Sequence, residues 1–151
     1  MGTNYYLRQK ISNDKKELMK SLIDQGDFNE LKDMIPEKIH IGKQSYGWKF
    51  LWNANRFEYF EPSIESLYDF LKSGDIYDEY GDKFDFDTFI NKKIKITTGC
   101  DGLEWCRDHN ERWWCSYEDI DRFKNIHNVE VNTAGEFYIE GHRFTIHDEF
   151  C

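Results

Sequence analysis

The sequence predicts an α+β fold: one compact domain over residues 1–151, mainly antiparallel sheet with two to four helices. Strand-like and helix-like hydrophobic periods follow each other irregularly, and neither a repeat nor a linker divides the chain. A chain of 151 residues has the length of one ordinary domain and buries roughly 68–70% of the surface its unfolded form exposes. Aromatic residues make up 17% of the chain and carry much of the burial where mean hydropathy is only −0.82. Their abundance also separates this sequence, 32% charged, from disordered chains, which are poor in aromatics.

Residues 3–10 read as a first strand rich in β-prone aromatics. Ser12 or Asn13 caps a helix whose apolar positions Leu18, Leu22 and Ile23 recur at helical spacing, and Gly26 closes it. A short second helical piece runs through Leu31 and stops at Pro36. Lys38 to Ile41 alternates as a strand, a glycine-containing loop turns the chain, and Trp48 to Trp52 returns as a second strand of a hairpin with the loop at its tip. Pro62-Ser63 opens a helix, with Ser63 as N-cap, Ile64, Leu67, Tyr68 and Leu71 on one face, and Gly74 at its end. Ile76 to Gly81 is a short extended piece and turn. Asp85 caps a further helix in which Phe86, Phe89, Ile90 and Ile94 face inward, and lysines 92, 93 and 95 suit its C-terminal dipole. Residues 99–117 read as loop and hold three of the five tryptophans. From Val129 through Phe144 to Phe150 the chain reads as strands broken by Gly135 and Gly141.

Three constellations have chemical potential. The segment His40-Ile41-Gly42-Lys43-Gln44-Ser45-Tyr46-Gly47-Trp48 sets an imidazole, a cation and a hydroxyl among two glycines. Glycine lets backbone N–H groups converge on phosphate-like oxygens, Lys43 supplies charge, Ser45 a hydroxyl and Trp48 a stacking surface. It has the spacing of neither a Walker loop nor a dinucleotide fingerprint. The bland reading is a glycine-bearing hairpin turn with solvated polar residues and a core tryptophan. Asn4, Tyr5 and Tyr6 add amide and phenol groups from the first strand, or are simply core and edge residues.

Asp78 and Glu79 are adjacent carboxylates, which a strand points to opposite faces, so a joint acid–base role is disfavoured. A turn before Gly81 accounts for them, with a single contact from Asp78 or Glu79 to a ligand as the functional alternative. Cys100, Cys106, His109 and Cys115 have the ligand types for zinc, yet only Cys106 and His109 have the usual spacing. Reduced cysteines packed beside Trp105, Trp113 and Trp114 need no metal, so neither metal nor cofactor is expected.

The Met-Gly-Thr-Asn-Tyr-Tyr-Leu start, the His-Ile-Gly-Lys-x-Ser-x-Gly-Trp centre, the Ile-x-Asp-Glu-Tyr-Gly turn and the Phe-x-x-x-x-Glu-Phe ending at Phe150 together resemble a family of small, largely uncharacterised bacteriophage proteins. The resemblance spans nearly the whole chain. It implies a phage origin and a setting in the cytoplasm of the infected host. Where relatives look to carry an N-terminal Cys-x-x-Cys, this chain has the Ser12 to Asp33 helical insertion.

Charge narrows the partners. Residues 1–50 hold 9 Lys/Arg against 7 Asp/Glu, whereas residues 51–151 hold 11 against 22. An acidic half argues against a broad grip on a nucleic-acid polymer. No apolar run approaches a membrane span, and Met1 to Tyr6 lacks the order of a signal peptide, so no membrane partner is expected. The expectation is a counter-defence binding protein, a sponge for a small anionic, nucleotide-derived signalling molecule held by Asn4, Tyr6, His40, Gly42, Lys43, Ser45, Gly47, Trp48, Asp78 and Tyr80. The alternatives are an acidic inhibitor that covers a host protein and, third, a phosphoesterase-type enzyme using His40. A homodimer is compatible with either binding role.

Overall fold

A computed structural model describes residues 2–54, 63–94, 99–109 and 116–146. Seven strands form one sheet: β1 (Gly2–Gln9), β2 (Ile39–Ser45), β3 (Leu51–Asn53), β4 (Gly74–Asp78), β5 (Lys83–Phe84), β6 (Glu136–Ile139) and β7 (His142–Thr145). Their spatial order is β5-β4-β1-β2-β3-β7-β6, antiparallel throughout except for the β3–β7 pair. With the helices interspersed between strands, this is the α+β class that the sequence predicts.

Local chemistry explains most boundaries. In α1 (Asn13–Gln25) the Ser12 hydroxyl accepts from Lys15 N–H, and Gly26 closes the helix at φ 73°, a left-handed conformation cheapest for glycine. Of its three apolar positions only Leu22 is buried, while Leu18 and Ile23 remain 51% and 52% exposed. The helix α2 (Phe28–Met34) ends ahead of Pro36. In α3 (Ile64–Lys72) Ser63 caps Ser66 N–H, and Ile64, Leu67 and Leu71 are buried. Asp85 accepts from both the N–H and the hydroxyl of Thr88, opening a helical turn α4 (Phe86–Thr88) that continues as a π-helix over Phe89–Ile94.

Several expectations need correction. The strand β2 runs on through Ser45, so His40, Gly42 and Lys43 lie inside it, and the turn comprises Ser45 to Trp48. Gly74 does not cap α3; it opens β4, tight against the Arg8 carbonyl, where a Cβ has no room. Residues 99–117 are not all loop. They contain α5 (Gly102–His109), and α6 (Tyr117–His127) follows, capped by Ser116 on Asp119 N–H. Val129 to Val131 lies outside any strand, and Phe150, like Pro62, Lys95, Trp113 and Trp114, lies outside the described residues.

The core occupies one face of the sheet. Register carries a transverse row through Phe137, Phe144, Trp52, Gly42 and Tyr5. Phe137 and Phe144 stack at 5.0 Å and 9°, and Trp52 continues the stack at 6.3 Å. At Gly42 the row has no side chain, and the Phe50 ring fills the gap; a Cβ there would lie 2.5 Å from Phe50 Cε1. Phe89 of the π-helix then packs against Tyr5, Phe50 and Trp52.

Candidate functional site

The opposite face of the sheet collects the polar residues. Tyr5 and Leu7 are buried in the core, so the strand alternation turns Asn4, Tyr6 and Arg8 the other way. In β2, Ile41 is an extra residue between the Tyr6–His40 and Tyr5–Gly42 pairs. This bulge keeps His40 beside Tyr6 and Lys43 beside Asn4. Register extends the face to Leu51, Arg143 and Tyr138 on one side and to Tyr77 on the other. Tyr6 and His40 rings lie 5.1 Å apart, and Lys38 Nζ sits 3.9 Å above the Tyr6 ring. His40 Nε2 is 3.1 Å from the Gly42 carbonyl. Lys43 is half-buried and has no ion-pair partner among the described residues. Ser45 Oγ and Lys43 Cε crowd the position a Cβ on Gly2 would take, so both side chains belong to this face.

Asn4, Tyr6, His40, Lys43 and Ser45 are therefore brought together. Their mode differs from the expected glycine loop: the Gly42–Lys43 backbone pairs with β1 and β3 on its two sides and forms no oxyanion nest. Gly47 sits in the turn at φ 80°, and its carbonyl accepts from Cys100 N–H at 2.9 Å. Trp48 faces protein, with the Arg143 guanidinium 5.3 Å from its ring and Trp105 at 6.3 Å. Asp78 is buried on the core side, and its Oδ1 accepts from Tyr80 and Asp82 N–H, each at 2.9 Å. The turn reading thus describes Asp78, and Tyr80 projects 78% exposed. Glu79, pointing the other way, accepts from Asn4 N–H at 3.1 Å.

At the β6–β7 end the same face is closed by a polar network that sequence reasoning did not find. Glu136 accepts from Arg143 Nε at 2.9 Å and from Arg143 Nη2, and both its oxygens accept from Gly102 N–H at the start of α5. Asp101 Oδ2 accepts from the Tyr138 hydroxyl at 2.7 Å and lies 3.6 Å from Lys49 Nζ, while Oδ1 accepts from Glu104 N–H. Burial pushes the Asp101 carboxyl up, but Glu104 N–H, the Tyr138 hydroxyl and the Lys49 and Arg143 charges outweigh it and hold it below the usual range. Burial and then the hydrogen bond to Asp101 push the Tyr138 phenol well up. Burial, followed by the Glu104 and Asp101 charges, also raises the Cys100 thiol, which donates to the Asp101 carbonyl. The signal for the network was period-two spacing: Glu136 and Tyr138 face Thr145 and Arg143 across the Glu140-Gly141 turn.

Of the possible zinc ligands, Cys100 is half-buried, and the side chains of Cys106, His109 and Cys115 lie outside the described residues. Among the described residues no group of three or more His, Cys, Asp or Glu is placed to hold a metal ion, and no helix is long and apolar enough to cross a membrane. Comparison with protein-family models, curated proteins and solved structures returns no match.

Proposed function

We propose that this chain is a binding protein that sequesters a small anionic, nucleotide-derived molecule on the polar face of β1 and β2. The observation that carries this reading is convergence: Asn4 and Tyr6 from one strand, and His40, Lys43 and Ser45 from another, share one face on which Lys43 has no ion pair among the described residues. A cation without a carboxylate partner is available to a phosphate, and the Tyr6–His40 pair offers rings to a base. Asn4 Oδ1 is buried with no donor among the described residues. An acceptor left so costs about 1–3 kcal/mol, which a ligand N–H relieves. Likeness of the sequence motifs to bacteriophage proteins suits a counter-defence role in an infected cell, where a sponge lowers the level of a host signal.

Calorimetric titration with cyclic nucleotides and ADP-ribose derivatives tests this reading. The expected result is saturable heat from at least one of them, lost in Lys43→Ala with unchanged melting. No heat from any at protein concentrations of about 50 μM, which detects dissociation constants of this order, overturns it.

A further inference from the structure

We infer that the ligand presents two bases joined through phosphate, one lying on Tyr6 and the other on Tyr77. This rests on the reading of the same face as a nucleotide site and extends it across β1 to β4. Tyr6 is directly opposite Tyr77 in the β1–β4 register and directly opposite His40 in the β1–β2 register. Three rings therefore form one row across neighbouring strands, which lie about 4.8 Å apart. Both tyrosines are half-buried, and among the described residues neither hydroxyl has a hydrogen-bond partner. A tyrosine fixed on a strand and turned away from the core offers a flat face to any base, because every base has a π-face.

The charge around the row reverses that of the chain. Arg8 and Lys43 share the face with Tyr6, and Lys83 is opposite Tyr77. Lys38, an exposed side chain, reaches over the Tyr6 ring at 3.9 Å, and a base stacking on Tyr6 displaces its Nζ toward the phosphate. The carboxylates at this face are Asp75, opposite Arg8 and ion-paired to Lys83 at 3.3 Å, and Glu79, which accepts from Asn4 N–H. Among the described residues this face sets four cations against two carboxylates, on a protein of net charge −9. Lys83 is already paired to Asp75, but Arg8, next to Tyr77 across the β1–β4 ladder, has no ion pair among the described residues and takes a role when the ligand carries a second nucleotide beyond the phosphate on Lys43. The same chemistry belongs to a short single strand and to a cyclic dinucleotide.

Fluorescence titration with adenosine monophosphate, a linear adenine dinucleotide and a cyclic dinucleotide separates the cases. At least one of the two-base probes is expected to bind tenfold or more tightly than the mononucleotide, in line with the stacking of a second base. Replacement of Tyr77 by Ala or by the strand-compatible Thr is expected to remove that advantage and leave mononucleotide binding unchanged, with melting followed for both variants. The linear and cyclic arms show which source the face accepts. Equal affinity for one-base and two-base probes, or a two-base advantage untouched in both Tyr77 variants, overturns the inference and leaves the single-nucleotide reading standing. Absence of binding by all three probes overturns the inference, while the wider ligand titration decides the parent reading separately.

Discussion

Arg143 and Glu136 meet across the β6–β7 hairpin as an ion pair with only 3% and 1% of their side chains exposed. Each also has a second obligation, Arg143 Nη1 donating to the Lys49 carbonyl and Glu136 accepting from Gly102 N–H. The pair thus ties the sheet to the first residue of α5 and to the Lys49 backbone. Removing one partner of such a pair leaves the other charge buried, at a cost of about 3–5 kcal/mol. Arg143→Met is expected to lower unfolding free energy by that amount in urea titrations, a large share of the roughly 5–15 kcal/mol typical of a domain. Glu136→Gln keeps an acceptor for Gly102 and should cost less than Arg143→Met; the reverse order would contradict the assignment of Glu136 as the helix anchor.

His142 should make stability fall on mild acidification. Trp52 Nε1–H donates to His142 Nδ1 at 3.3 Å, which requires that nitrogen to be unprotonated, and burial pushes the imidazole below its ordinary value, partly opposed by Glu140. The folded state therefore takes up a proton less readily than the unfolded chain, whose imidazole titrates near pH 6.5. Stability is fully present above that pH and declines as pH falls through it toward the lower folded value. Melting temperatures measured from pH 5 to 7.5 are expected to show this slope in the wild type and a reduced slope in His142→Gln. Equal slopes would remove His142 as the cause.

Much of the frame was legible because its signals are local. Ser12, Ser63 and Asp85 cap as the sequence announces, Gly26 closes α1, and the first strand alternates as its residues require. The extent of β2 was not legible, because Gly42 looks like a turn residue, whereas its role is to admit the ring of Phe50, the residue before β3. Only tertiary packing shows that. The helix α6 was missed although Ser116-x-x-Asp119 and the Ile120, Phe123 spacing mark it. Asn4, Tyr6, His40 and Lys43 were individually visible, but their sharing of one face depends on the Ile41 bulge, a register feature with no signature in the β2 residues themselves.

Gly42→Ala tests that packing directly. Gly42 is not at positive φ, so alanine meets no backbone strain there; it meets Phe50 Cε1 at 2.5 Å and the Leu51 carbonyl at 2.6 Å. Overpacking of a filled core costs about 1–3 kcal/mol. Chemical denaturation of Gly42→Ala should show a loss in this range, and the double variant with Phe50→Leu should recover part of it. Independent, additive losses would mean the Phe50 ring does not occupy the space above Gly42.

Tyr138→Phe should weaken the protein most where Asp101 is ionised. The Asp101 carboxylate is held below its usual range by the Glu104 N–H, the Tyr138 hydroxyl and nearby Lys49 and Arg143, against burial, which acts the other way. A depressed carboxyl contributes stability that is present above its unfolded value, about pH 4, and is lost as pH falls through the folded value. Deleting the phenolic oxygen removes one of the groups that favour the ionised form and leaves the ring in place. A charge-assisted hydrogen bond is worth about 1.5–3 kcal/mol, less here because Tyr138 is 41% exposed. The difference in stability between wild type and Tyr138→Phe is therefore expected to be widest near neutrality and to close below about pH 4, followed by thermal unfolding at pH 2.5 to 7. A difference that stays constant across that range would show that the hydroxyl acts on packing alone and not on the Asp101 charge.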